Sequence, residues 1–334
     1  PYGVSEQKSK PTQQSVNLLK QRGIFPDIII GRCSEVLTKE IKTKISNFCD
    51  VQPNAVITGL DVEDIYEIPI VFEKEGLPEI IHKKLNIYSP PDLRKWKELI
   101  DNIRNPKKEI TVAMCGKYTK LEDSYASIRE SFNHCAAHFG CKVDLKWVET
   151  TQLKDTSFMD SIDGVVVPGG FGSRGTEGKI ETIRLARERD IPFLGLCLGL
   201  QLAVIEFARN ECNLGKANST EMDPDTPHPV IDILPEQRKV SEKGGTMRLG
   251  AYSAVLKEGT LARSLYGTEE VSERHRHRYE VNPEYHAIIQ EKGMVFSGTS
   301  SDGRLIEFIE LPSSSYFVAT QAHPELKSRM EKPA

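Results

Sequence analysis

The sequence predicts an α/β protein: a doubly wound, mostly parallel sheet preceded by the end of another α/β domain. Three observations predict it. Apolar runs of strand length alternate with longer segments whose apolar residues recur at helical spacing, which is the pattern of a parallel sheet with covered faces. A glycine-flanked cysteine, Gly195-Leu196-Cys197-Leu198-Gly199, stands where one such strand turns into a helix. Two more segments dense in chemistry, around residues 168–175 and 320–325, also follow strands directly. Ligands of doubly wound sheets bind at the carboxyl ends of the strands.

Composition narrows the function. The 334 residues carry 44 Lys and Arg against 48 Asp and Glu, a net charge of −4. That balance argues against nucleic acid as a partner, which would favour a basic surface. Seven cysteines are scattered with no C-x-x-C pair, which fits a reducing, cytoplasmic setting rather than a disulfide framework. The longest apolar stretch, 193–208, is broken by Gln201 and Glu206 and is too short to span a membrane. The chain opens on Pro1 rather than Met, with element signals starting abruptly, as expected of part of something longer.

Taken in order, residues 1–85 read as one β-α-β portion. A helix starts near Pro11, and Lys8, Lys10, Thr12 and Gln13 gather at its N-terminus. This is a favourable place for phosphate, although exposed lysines in a solvated loop are the commoner arrangement. Residues 27–32 and 55–57 read as buried strands, 39–49 as the helix between them, and 61–66 and 78–85 as further helical turns. Residues 86–108, polar and bearing Pro90, Pro91 and Pro106, read as an interdomain linker with one amphipathic helix around Trp96. A second domain, 109–334, begins with strand 110–115. Helix 124–139, strand 143–148 and strand 164–167 follow.

Three segments at strand ends carry the chemistry. Cys197 sits in a cysteine version of the nucleophile elbow, in which a tight strand-to-helix turn lifts the reactive atom above the sheet. A helix N-terminus behind a thiol favours the thiolate; a small buried cysteine is the plain alternative. Pro168-Gly169-Gly170-Phe171-Gly172-Ser173-Arg174-Gly175 lacks the G-K-[ST] of a phosphate loop and reads as a candidate oxyanion hole. His323-Pro324-Glu325 offers a base and, two residues on, a carboxylate to orient it; an exposed turn histidine is the alternative. The run 274–278 (Arg-His-Arg-His-Arg) suits a substrate carboxylate or phosphate. His134 and His138, one helical turn apart, lack the H-E-x-x-H form, so no metal is expected. Residues 244–250 read as a glycine-flanked, lid-like loop bearing Arg248.

Together these motifs resemble the class I glutamine amidotransferase family. The stretches PGGFGSRG, GLCLGLQLAVIEFARN, ANSTE, GGTMRLG and ERHRHRYEVN are similar to the CTP synthase family in particular, and KSKPTQQSV in residues 5–85 is similar to the end of its synthetase domain. The resemblance implies a Cys197–His323–Glu325 triad that hydrolyses L-glutamine. It implies an oxyanion hole from the N–H groups of Gly169 and Leu198, and glutamine bound by Gly169, Phe171, Gln201, Glu221 and Arg276. The ammonia would serve ATP-dependent amination of UTP to CTP, with GTP as activator. It also implies UTP or CTP contacts at Lys8, Lys10, Gln13 and Lys44, ATP contacts at Asp61 and Val62, and a part for Arg248 in GTP coupling. Mg2+ and ATP would be bound largely by segments preceding this stretch, and the family forms homotetramers. A γ-glutamyl hydrolase and a non-catalytic regulatory module remain alternatives.

Overall fold

The computed structural model describes residues 7–117, 122–151, 153–233 and 247–334. The chain divides into two compact units, Pro1–Arg104 and Asn105–Ala334.

In the first unit, helix α1 (Lys10–Gln21) is followed by strand β1 (Ile29–Cys33), α2 (Lys39–Cys49) and β2 (Val56–Leu60). The two strands pair in parallel, as a strand–helix–strand crossover requires. Val16, Ile29, Leu37, Ile45, Cys49 and Val56 form the core beneath them. Thr38 caps α2, its hydroxyl accepting from the Ile41 N–H at 3.3 Å. Helices α3 (Ile68–Lys74), α4 (Leu77–Leu85) and α5 (Arg94–Arg104) complete the unit. Helix α5 lies inside the stretch expected to be linker, yet it is anchored here. Trp96 Nε1 donates to the Tyr66 carbonyl at 2.8 Å, Arg104 pairs with Glu67 at 2.5 Å, and Leu99 and Ile100 are buried.

The second unit is built on one sheet. Strand β3 (Lys108–Gly116) leads through α6 (Ala126–Phe139) to β4 (Cys141–Glu149). Then come β5 (Gly164–Val167), α7 (Thr176–Glu188), β6 (Phe193–Leu196) and α8 (Leu198–Asn210). Short strands β7 (Ala217–Ser219) and β8 (His228–Asp232) pair in a separate small sheet. The chain returns as β9 (Arg248–Leu256), α9 (Leu261–Tyr266), β10 (Glu270–His277) and β11 (Glu280–Val281). It ends with α10 (His286–Glu291), β12 (Val295–Ser300), β13 (Ile306–Glu310) and β14 (Phe317–Thr320).

The main sheet runs β10-β9-β12-β13-β14-β6-β5-β3-β4. From β14 to β4 every pairing is parallel. From β10 to β14 every pairing is antiparallel. Alternate residues of one strand serve opposite faces. Ala113, Cys115, Val165 and Val167 pack with α7 and α8, while Val112, Met114 and Val166 pack with Tyr125 and Ile128. Both faces are therefore covered, as a doubly wound sheet demands. Helix α8 is the centre of the core: every residue from Leu198 to Ala208 is buried. Glu206, fully buried within it, is held by Arg187 at 2.8 Å.

Two sequence expectations change here. The lid-like loop proves to end in a strand: Arg248 opens β9 and is buried, while residues 244–246 lie outside the described ones. The basic run belongs largely to β10, whose alternation buries His275 and His277 and exposes Arg274 and Arg276. Among the described residues, no helix is long and apolar enough to cross a membrane.

Candidate active site

The site forms where β5, β6 and β14 end side by side. Between β6 and α8 the backbone of Cys197 takes φ 52°, ψ −101°, a region that a side-chain-bearing residue occupies only under strain. Neighbouring glycines make the turn possible. A Cβ on Gly195 would lie 2.8 Å from the Ala319 Cβ, and one on Gly199 would lie 2.2 Å from the Val167 carbonyl oxygen. The Cys197 N–H donates to the Thr320 carbonyl at 2.8 Å, tying the elbow to β14.

That strand delivers His323. Its N–H donates to the Arg274 carbonyl at 2.7 Å, and its Nδ1 stands 2.7 Å from Glu325 Oε1. Burial works to lower the imidazole pKa, but its bond to Cys197 and its pairing with Glu325 prevail and lift it to about 10. A histidine bonded to the cysteine and paired with a carboxylate has the arrangement of a base and its orienter. Gly169, after β5, touches both partners: a Cβ there would be 2.8 Å from His323 Cε1 and 3.5 Å from Cys197 Cβ. The Leu198 amide begins α8 and has no carbonyl a turn behind it. Below the loop, the buried Lys179 places Nζ 3.9 Å from where a Gly170 Cβ would stand, and burial lowers its pKa to about 8.

Cys197 opens on a cavity of about 270 Å³ lined by Phe171, Gln201, Glu221, Arg276, Arg278 and Tyr279, among others. Glu221 Oε1 accepts from the Gly172 N–H at 2.9 Å. The Arg276 guanidinium sits 5.9 Å from the centre of the Phe171 ring. Gln201 Nε2 donates to the Tyr279 carbonyl at 3.0 Å and to Gln321 Oε1 at 3.2 Å. Sequence reasoning missed Arg278, Tyr279 and Gln321. Arg278 lay in the basic run that was noticed, but nothing in the sequence distinguishes it from Arg276.

Behind the cavity wall lies a buried charge cluster. Arg248 pairs with Glu307 at 2.8 Å and with Glu280 at 3.3 Å. Burial raises the Glu280 carboxyl to about 8 and drops His275 to about 3, the latter helped by Arg248. The remaining expected sites lie elsewhere. Lys8 and Lys10 are exposed at the start of α1, where Gln13 Nε2 donates to Ser9 Oγ at 3.0 Å. Lys44 lines a shallow groove on α2 with Lys39, Thr43 and Asn47. Asp61 pairs with Arg32 at 2.8 Å, and Val62 follows it at the end of β2. His134 and His138 bind Ser328 Oγ at 2.9 Å and the Met330 carbonyl at 2.8 Å.

This sheet, with a cysteine elbow and a histidine–carboxylate pair at its carboxyl edge, defines a class I glutamine amidotransferase domain, and that family's model matches residues 120–334. A solved glutaminase domain of Trypanosoma brucei CTP synthase, with bound acivicin, is 34% identical, covers 67% of this chain and 89% of its own, and superposes with a TM-score of 0.63. The CTP synthase N-terminus model matches residues 2–87. The CTP synthase of Methanocaldococcus jannaschii is 52% identical over 100% of this chain and 64% of its own length, and that of Archaeoglobus fulgidus is 52% identical over 98% and 62%. The chain therefore belongs to the CTP synthase family, and it spans less than two thirds of the length of these relatives.

Proposed function

We propose that the second unit hydrolyses L-glutamine to supply ammonia. Cys197 Sγ attacks the side-chain amide carbon, and the oxyanion is received by the N–H groups of Gly169 and Leu198. His323, oriented by Glu325, gives its proton to the departing ammonia and then takes one from the water that cleaves the thioester. Glu221 suits the ammonium of the substrate. Its carboxylate suits Arg276 or the more buried Arg278, with Phe171 and Gln201 as walls. The observation that carries this reading is that Cys197, which lines the cavity with Glu221 and Arg276, lies against Gly169 and the His323–Glu325 pair.

In the whole protein the ammonia would aminate UTP activated by ATP, giving CTP, with GTP activating the glutaminase step. Lys8, Lys10, Gln13 and Lys44 would meet UTP or CTP, and Asp61 and Val62 would meet ATP. Arg248 is committed to two carboxylates, so any part in GTP coupling acts through that cluster. Mg2+ and ATP would be held largely by segments of the whole protein that precede this stretch. A homotetramer in a reducing cytoplasm completes the reading. The test is ammonia release from glutamine, with Cys197→Ala as control. A fall to background in the variant supports the assignment, and equal rates sink it.

A further inference from the structure

We infer that Gln321 is a further catalytic residue, donating an amide N–H to the Cys197 sulfur. The inference deepens the amidohydrolase reading and rests on it. Gln321 is fully buried, and its Nε2 lies 3.8 Å from Cys197 Sγ. Which end of a side-chain amide faces a neighbour is settled by the network around it, and here a backbone carbonyl settles it. The Tyr279 carbonyl can only accept. The Gln201 atom 3.0 Å from it is therefore the nitrogen, and the same nitrogen, at 3.2 Å, makes the facing atom of Gln321 its oxygen. The Gln321 NH2 is left for the sulfur.

The same carbonyl orders the rest of the chain. His277 Nδ1, 3.1 Å from the Tyr279 carbonyl, must carry a proton, so its Nε2 accepts from His275 Nδ1 at 3.0 Å. Burial lowers the pKa of both imidazoles and keeps them neutral, as this polarity needs. The Gln321 N–H also donates, to the Glu307 carbonyl at 2.8 Å, fixing the backbone from which its side chain springs. The Tyr279 carbonyl thus takes a donor from His277 and one from Gln201, the Gln201 amide gives its other N–H to the Gln321 oxygen, and the Gln321 NH2 faces the nucleophile; a donor there favours the anionic sulfur over the neutral one.

The test is the rate of Cys197 alkylation by iodoacetamide at pH 7, read on the Cys197 peptide by mass spectrometry. This rate follows the thiolate and needs no glutamine. Gln321→Met, similar in length and without a donor, is expected to slow it about tenfold, the worth of about one pK unit. Glutaminase kcat/KM should fall in parallel. Gln321→Glu keeps an acceptor toward Gln201, sets an oxygen against the sulfur, and should slow alkylation at least as much. If Gln321→Met fails to fold, Gln321→Glu carries the same reading. Alkylation within twofold of wild type in a folded variant overturns the inference. A Cys197→Ala protein that releases ammonia at the wild-type rate would instead sink the amidohydrolase reading and leave the alkylation result standing.

Discussion

Gly169→Ala should separate catalysis from folding. Gly169 is absent from the positive-φ positions, so alanine adds no backbone strain, only a methyl group. That methyl would sit 2.8 Å from His323 Cε1, whereas unstrained carbon contacts need about 3.5 Å. The ring must therefore retreat by about 0.7 Å, taking those two figures. It has little freedom to do so, because Glu325 Oε1 grips Nδ1 at 2.7 Å and the His323 N–H is tied to the Arg274 carbonyl. A misplacement near 1 Å costs about 100-fold in rate. We expect kcat for ammonia release to fall about 100-fold. Tm should move by no more than about 5 °C, since one displaced contact is worth on the order of 1 kcal/mol. A kcat within threefold of wild type in a folded protein would refute the argument that the glycine loop presses on the base.

Stability against pH is the second expectation. The folded pKa of His323, about 10, lies above the roughly 6.5 of an unfolded imidazole. Its contribution is therefore complete below about pH 6.5 and disappears as pH rises through about 10. Tm should decline over that window, and less steeply in Cys197→Ala, which lacks the sulfur partner; equal slopes would contradict the coupling. Arg248→Met removes the cation between Glu280 and Glu307 and should cost about 3–5 kcal/mol, read as a Tm drop of about 10 °C. The loss should be smaller at pH 6 than at pH 8.5, because burial already holds the Glu280 carboxyl up to about 8. A pH-independent loss would refute the charge account.

What the sequence showed, and what it hid, follows from which faces are apolar. Strands β5 and β6 are apolar runs, and the glycines around Cys197 have no other use than the turn, so that half of the site was legible. Strand β10 was not. Its buried face carries Val271, Glu273, His275 and His277, three polar residues of four, and a pattern rule that equates buried with apolar reads such a segment as surface. Arg248 was misplaced for the same reason, as a charged residue beside glycines that turns inward to buried carboxylates. Gln321 escaped because its role depends on partners at 201 and 279, which only the fold brings together. Helix α5 was expected around Trp96, but its docking was not, since proline-bearing flanks resemble a tether whether or not the helix between them docks.

The strained backbone at Cys197 has an evolutionary consequence. At φ 52° the position suits glycine better than any residue with a side chain, so the chain holds its reactive atom at a place where losing that atom would relax the fold. A lineage released from glutamine hydrolysis would have a downhill route to a more robust but inert protein at this position.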